Sequence, residues 1–210
     1  MNLEKILSFR SGTIYIMEKY LKSTEVIDWK HPAILDKAKG LAGDDKKTGA
    51  IVKNCFEWVR DEIKHSYDFS LNPVTCKSSD VLKHGTGFCF SKSHLLVALL
   101  RAQSIHAGLC YQKLSRDDNG PPYTLHGLAA AFLPETGWYR MDPRGNRKGI
   151  NAQFLPPIEQ IAFNIRLDGE ADIPGIWSDP LPIVVDLLNS SKTYKHVWEK
   201  LPQTVKNINF

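Results

Sequence analysis

A glycine pair followed by a cysteine, Gly85-Thr86-Gly87-Phe88-Cys89, opens the stretch that most constrains this chain. Leu95, Leu96, Leu99 and Leu100 follow at helical spacing, which predicts a helix from Cys89 to about Gln103 with an apolar face to cover. A thiol at a helix start meets backbone N–H groups without intrahelical partners and the positive end of the helix dipole. Both favour thiolate over thiol, and thiolate is the nucleophile.

The flanking segments supply the cover. A helix is expected over residues 31–41, with Pro32 in its first turn. Gly43-Asp44-Asp45 offers a cap for a second, whose buried face is Ile51, Cys55, Trp58, Val59 and Ile63. Ser78-Ser79-Asp80 reads as the cap of a short helix over 81–83. Beyond the Cys89 helix the pattern changes to strands at 107–114, 125–133 and 138–141, the last two joined by the Pro134-Glu135-Thr136-Gly137 turn. Helices followed by an antiparallel sheet define an α+β fold. Thr13-Ile14-Tyr15-Ile16 is a further strand candidate. The proline-rich stretch from Asn151 carries helical patterns at 184–189 and 194–200 and is expected to wrap the core. We read one domain over 1–210, with its core at about 50–146.

Composition excludes several classes. A net charge of +4 with scattered Lys and Arg gives no nucleic-acid stripe. No apolar run approaches the roughly 18 residues of a membrane span, and the first residues, Met1 to Leu7, lack the pattern of a secretory signal. The expectation is a cytoplasmic protein with no membrane or nucleic-acid partner. Cys55, Cys76, Cys89 and Cys110 contain no Cys-x-x-Cys pair, so neither a zinc site nor disulfides are expected. No metal or organic cofactor is implied. Cys55 and Cys110 fall on buried faces, and Cys76 in a polar loop.

A histidine and an aspartate follow on separate strands, in Leu125-His126-Gly127 and Met141-Asp142-Pro143. Adjacent strands bring such side chains to about 5 Å. An aspartate on one ring nitrogen leaves the other free to face a thiol. The backbone N–H of Cys89 is a candidate oxyanion donor. Other groups are less apt. His94 lies about 140° around the helix from Cys89, His84 is in the approach to it, Lys92 reads as a solvated face residue, and Arg144 to Lys148 as a basic turn. A rim favouring acidic substrates is the functional alternative for that turn.

Gly87-x-Cys89, Leu99-Leu100-Arg101-Ala102, His126 and Trp138-x-x-x-Asp142-Pro143 together resemble the transglutaminase-like superfamily over roughly residues 64–146. The resemblance implies a papain-like core with Cys89 as nucleophile, His126 as base and Asp142 as orienting residue. It places Tyr67, Gly87 and Trp138 as candidate oxyanion or substrate-pocket residues. It implies amide chemistry through a thioester on a protein, peptide or other amide substrate, ending in transamidation, deamidation or hydrolysis. A catalytically inactive scaffold and an arylamine N-acetyltransferase type of acyl transfer are the alternatives. Where the family pattern reads HAW, this chain has His126-Gly127-Leu128, a change expected to open or reshape the pocket.

Overall fold

Every side chain from Cys89 to Arg101 is buried, so the helix that the glycine pair introduces has no wet face. The sequence predicts one apolar face; the structure covers the helix on all sides. Protein groups partner most of its polar atoms, while His94 Nε2 is buried with no partner among the described residues. Ser93 Oγ donates to the Cys89 carbonyl at 2.8 Å, and His94 Nδ1 pairs with the Cys76 carbonyl at 2.9 Å.

The structure is a computed structural model describing residues 17–202; the strand candidate at 13–16 lies outside the described residues. In chain order come α1 (Pro32–Ala42), α2 (Thr48–Glu62), β1 (Lys64–His65), α3 (Ser78–His84), β2 (Thr86–Gly87) and α4 (Cys89–Ala102). Strands β3 (Ala107–Ser115), β4 (Tyr123–Leu133) and β5 (Gly137–Met141) follow. Then come the hairpin β6 (Gln153–Leu155) and β7 (Ile158–Gln160), β8 (Ala171–Trp177), α5 (Pro182–Ser190) and α6 (Tyr194–Glu199). Helices α1, α2 and α3 pack on one side of α4, and β3 and β4 on the other. The sheet is antiparallel in the order β5-β4-β3-β8. Its inner face joins the helices in one core through Leu109, Tyr111, Leu125, Ala129 and Ala131. The fold is α+β, as the sequence predicts.

Local departures have physical causes. The buried stripe of α2 is Val52, Cys55, Phe56 and Val59 rather than one through Ile51 and Trp58, which stay half-buried. Ser78 does not cap α3: its hydroxyl turns inward to the carbonyls of Val26 and His94, while Ser79 binds Asp28. Strand β8 was not anticipated because it contains Pro174 and Gly175. As the sheet edge it needs partners on one side only, where such residues are tolerated.

Candidate active site

Cys89 is the first residue of α4, after Phe88 in extended conformation. The two-residue parallel pair of β1 and β2 leads into it, with His65 opposite Gly87. His126 stands on β4, and Asp142 directly follows β5. The register Ala129↔Met141 carries Asp142 alongside Leu128, so His126 lies diagonally two residues away, within reach of a carboxylate. His126 Nε2 is 2.7 Å from Asp142 Oδ2. This leaves Nδ1 for the cysteine, which lines the same cleft as His126 and feels its charge. Asp142 is wholly buried and also accepts from the backbone N–H groups of Arg144 (3.0 Å) and Ala162 (3.3 Å).

The charges are mutually dependent. Burial would raise the Cys89 thiol, but the His126 imidazolium and His65 outweigh it and bring the thiol below its ordinary range. Burial likewise opposes protonation of His126, yet Asp142 and the Cys89 thiolate hold it well above the usual histidine range. Asp142, despite burial, is kept low by His126 and the two backbone donors. The favoured form is thiolate beside imidazolium. Cys55, Cys76 and Cys110 lack such partners, and burial pushes each up to about 12. Cys76, expected in a polar loop, is 6% exposed, because His94 and the residues around α3 enclose it.

A second histidine, which the sequence did not single out, completes the surroundings of the sulfur. His65 is buried, lines the same cleft as Cys89 and packs edge-on to Phe88. Its Nδ1 is 3.6 Å from Asp68 Oδ1. Asp68 is gripped by both nitrogens of the Arg144 guanidinium, at 2.7 and 3.0 Å. Arg144 thus joins the two halves of the site, its backbone on Asp142 and its side chain on Asp68. Only the parallel pairing of β1 with β2 brings His65 here, and two-residue strands leave no periodic signal to read.

The three other pocket candidates do not line the cleft that holds Cys89. Tyr67, two residues on from His65, stacks on Trp198 with centroids 4.0 Å apart and is outside the cleft that holds Cys89. Trp138 packs on Tyr20 and Phe132 in the small cluster on the outer sheet face. Gly87 serves by size: a Cβ there would lie 2.5 Å from Ser91 Oγ. Lys92 is not a solvated residue either. It is buried, and its ammonium donates to the carbonyls of Arg60 and Ile63 at the end of α2. Arg144 is buried as well, in contrast to the rest of its turn.

Gly127 does not open the pocket. A Cβ there would come within 2.6 Å of Phe90 Cδ1 and 3.3 Å of Phe90 Cα, so the phenylalanine of α4 fills the space. Gly127→Ala is expected to cost about 1–3 kcal/mol in urea or thermal unfolding. Adding Phe90→Leu should recover part of it. An unaltered melting curve for Gly127→Ala would show that the close approach is not needed.

The cleft around Cys89 and His126 has a cavity of about 190 Å³, room for about six water molecules. Phe163, edge-on to His126 at 5.0 Å, and Trp198 form part of its wall. Among the described residues, no three His, Cys, Asp or Glu side chains are grouped to hold a metal ion. No helix among them is long and apolar enough to cross a membrane.

Residues 36–143, a little over half of the chain, match the family model described as the transglutaminase-like superfamily. Among solved structures, a candidate cysteine protease from Cytophaga hutchinsonii is similar at a TM-score of 0.50 and 20% identity, over 61% of this chain and 42% of that one. The periplasmic domain of TgpA from Pseudomonas aeruginosa gives 0.43 and 21%, over 59% and 45%. The chain therefore spans less than half the length of either. The first likeness shows a shared fold. Comparison with curated proteins gave no match.

Proposed function

The chain belongs to the transglutaminase-like superfamily, and from that premise we propose that it cleaves or exchanges an amide bond through a thioester on Cys89. The observation carrying this reading is the grouping of Cys89, His126 and Asp142, with Cys89 and His126 lining one cleft and His126 held at 2.7 Å by the carboxylate. The Cys89 sulfur attacks the amide carbon. In this reading the N–H of Cys89 and the ring of His65 donate to the oxygen as it gains charge. His126 passes its Nδ1 proton to the departing nitrogen, the C–N bond breaks, and the thioester remains. Water or an amine then attacks that thioester while His126 accepts its proton, and Cys89 leaves as thiolate. Asp142 stays ionised and keeps the ring's Nε2–H directed at itself. Water as acceptor gives deamidation or peptide cleavage; an amine gives transamidation.

Mass spectrometry of the intact protein tests this. After rapid acid quenching from a library of glutamine peptides and other amides, Cys89 should carry an acyl mass that hydroxylamine removes. An acyl mass on another residue, or none with any donor while the chain is folded, would defeat the proposal. The yield of hydroxamate against free acid reads the preference between amine and water.

A further inference from the structure

Arg116 sits immediately after β3 and lines the same cleft as Cys89 and His126. Its guanidinium lies 4.8 Å from the ring centroid of Trp198, and Nη2 donates to the Trp198 carbonyl at 3.0 Å. Trp198 is in turn stacked on Tyr67, so the arginine is held in place. Yet it is half-buried and has no carboxylate within 4.0 Å among the described residues.

The other charges on this wall are engaged. Arg144 is bidentate on Asp68, Arg147 reaches the same carboxylate at 3.8 Å, and Arg166 holds Asp118 at 2.6 Å. The Glu170 oxygens accept from the N–H groups of Ser115, Arg166 and Leu167. Of the four arginines lining the cleft, Arg116 is the one with no carboxylate within 4.0 Å among the described residues, and it is the stacked one. A guanidinium carries five N–H donors in a planar fork that matches a carboxylate. One carbonyl uses little of that capacity, while partial burial removes water that would use the rest.

We infer that Arg116 is the binding site for a carboxylate on the acyl donor, so that the substrates are acidic amides with an anionic group close to the bond attacked. The inference rests on Cys89 being the reactive thiolate of the function proposed above.

Iodoacetate and iodoacetamide separate the two claims. Each alkylates a thiolate by forming a C–S bond and releasing iodide, and they differ in little but the negative charge. Reaction of Cys89 with iodoacetamide reads the thiolate alone; the ratio of the two rates reads the anion site. In the intact protein at low salt, the iodoacetate to iodoacetamide ratio should exceed that of 2-mercaptoethanol by about tenfold, the size expected of one charge-assisted contact. Iodoacetate should show saturation, and added salt should lower the ratio. The His126 imidazolium attracts anions in every variant, so the comparison with Arg116→Gln isolates the arginine: the ratio should fall about tenfold. Arg116→Lys keeps the charge without the fork, so it should fall between, and it decides the matter if Arg116→Gln does not fold. A wild-type ratio no higher than that of the free thiol, or one unmoved by substitution of Arg116, overturns the inference. Failure of both reagents to label Cys89 overturns the thiolate reading beneath it, and the inference with it.

Discussion

Asp142→Asn is expected to lower kcat on an amide donor by about 10⁴-fold and to narrow the pH range of activity from both sides. With ordinary values, about 8.5 for cysteine and about 6.5 for histidine, the pair would be thiol and neutral imidazole in between. Thiolate beside imidazolium would never dominate. The site reverses this order. His126 and His65 bring Cys89 down against the cost of burial, and Asp142 with the Cys89 thiolate brings His126 up against the same cost. Activity therefore rises as the thiol ionises, below the usual cysteine range, and is lost when the imidazolium gives up its proton, above the usual histidine range. Removing the carboxylate charge lowers the ceiling on His126, and the weakened imidazolium then raises the floor on Cys89. Asparagine also has one acceptor oxygen where Asp142 uses two, so its N–H₂ group faces either Nε2 or the Arg144 N–H; facing Nε2, it favours the tautomer with hydrogen on Nδ1, which cannot accept a proton there. Initial rates between pH 4 and 11 for wild type and variant give the comparison. A loss under tenfold, or an unmoved pH window, would mean that Asp142 does not set the state of His126.

How much of this was legible before any coordinates depended on the range of each interaction. The Cys89 helix showed itself because a glycine pair, a terminal residue and an apolar run all lie within one stretch. Its complete burial did not, since Ser91, Lys92, Ser93 and His94 look like a wet face until their partners are known. Ser91 and Ser93 have partners within their own turn, but each of the four residues also has one 16 to 34 residues away. His126 and Asp142 were marked by strands with clear turn residues between them. His65 was not, because its place follows from two-residue pairing with a segment beyond α3. Gly127 in sequence suggests space gained, but a glycine records only that something comes near. Phe90, 37 residues earlier, is what comes near.

Arg101→Met is expected to cost about 3 kcal/mol or more of stability, a large part of the roughly 5–15 kcal/mol typical of a folded domain. Arg101 belongs to the stretch Leu99-Leu100-Arg101-Ala102 that carries the family resemblance, and the structure supplies a physical reason for an arginine there. It is 1% exposed at the end of α4. Its Nε and Nη2 donate to the Ala107 carbonyl at 3.1 and 2.9 Å, Nη1 to Lys22 at 2.7 Å and Nη2 to Ser178 at 2.5 Å. One side chain thus ties the segment before α1, the start of β3 and the residue after β8 to the central helix. Methionine matches much of the volume but leaves three carbonyls without a donor, each worth about 1–3 kcal/mol where water cannot replace it. Relief from burying a charge offsets part of that, which lowers the arginine's pKa but leaves it protonated at neutral pH. At about 2–4 °C per kcal/mol for a chain of this size, the melting temperature should fall by roughly 6–12 °C. Arg101→Lys has fewer donors and no fork, so it should lose less. Because Ser178 follows β8, the edge strand should loosen first, and limited proteolysis of the methionine variant should begin between residues 161 and 181. A melting temperature within about 2 °C of wild type, or first cleavage elsewhere, would show that the three segments do not depend on this guanidinium.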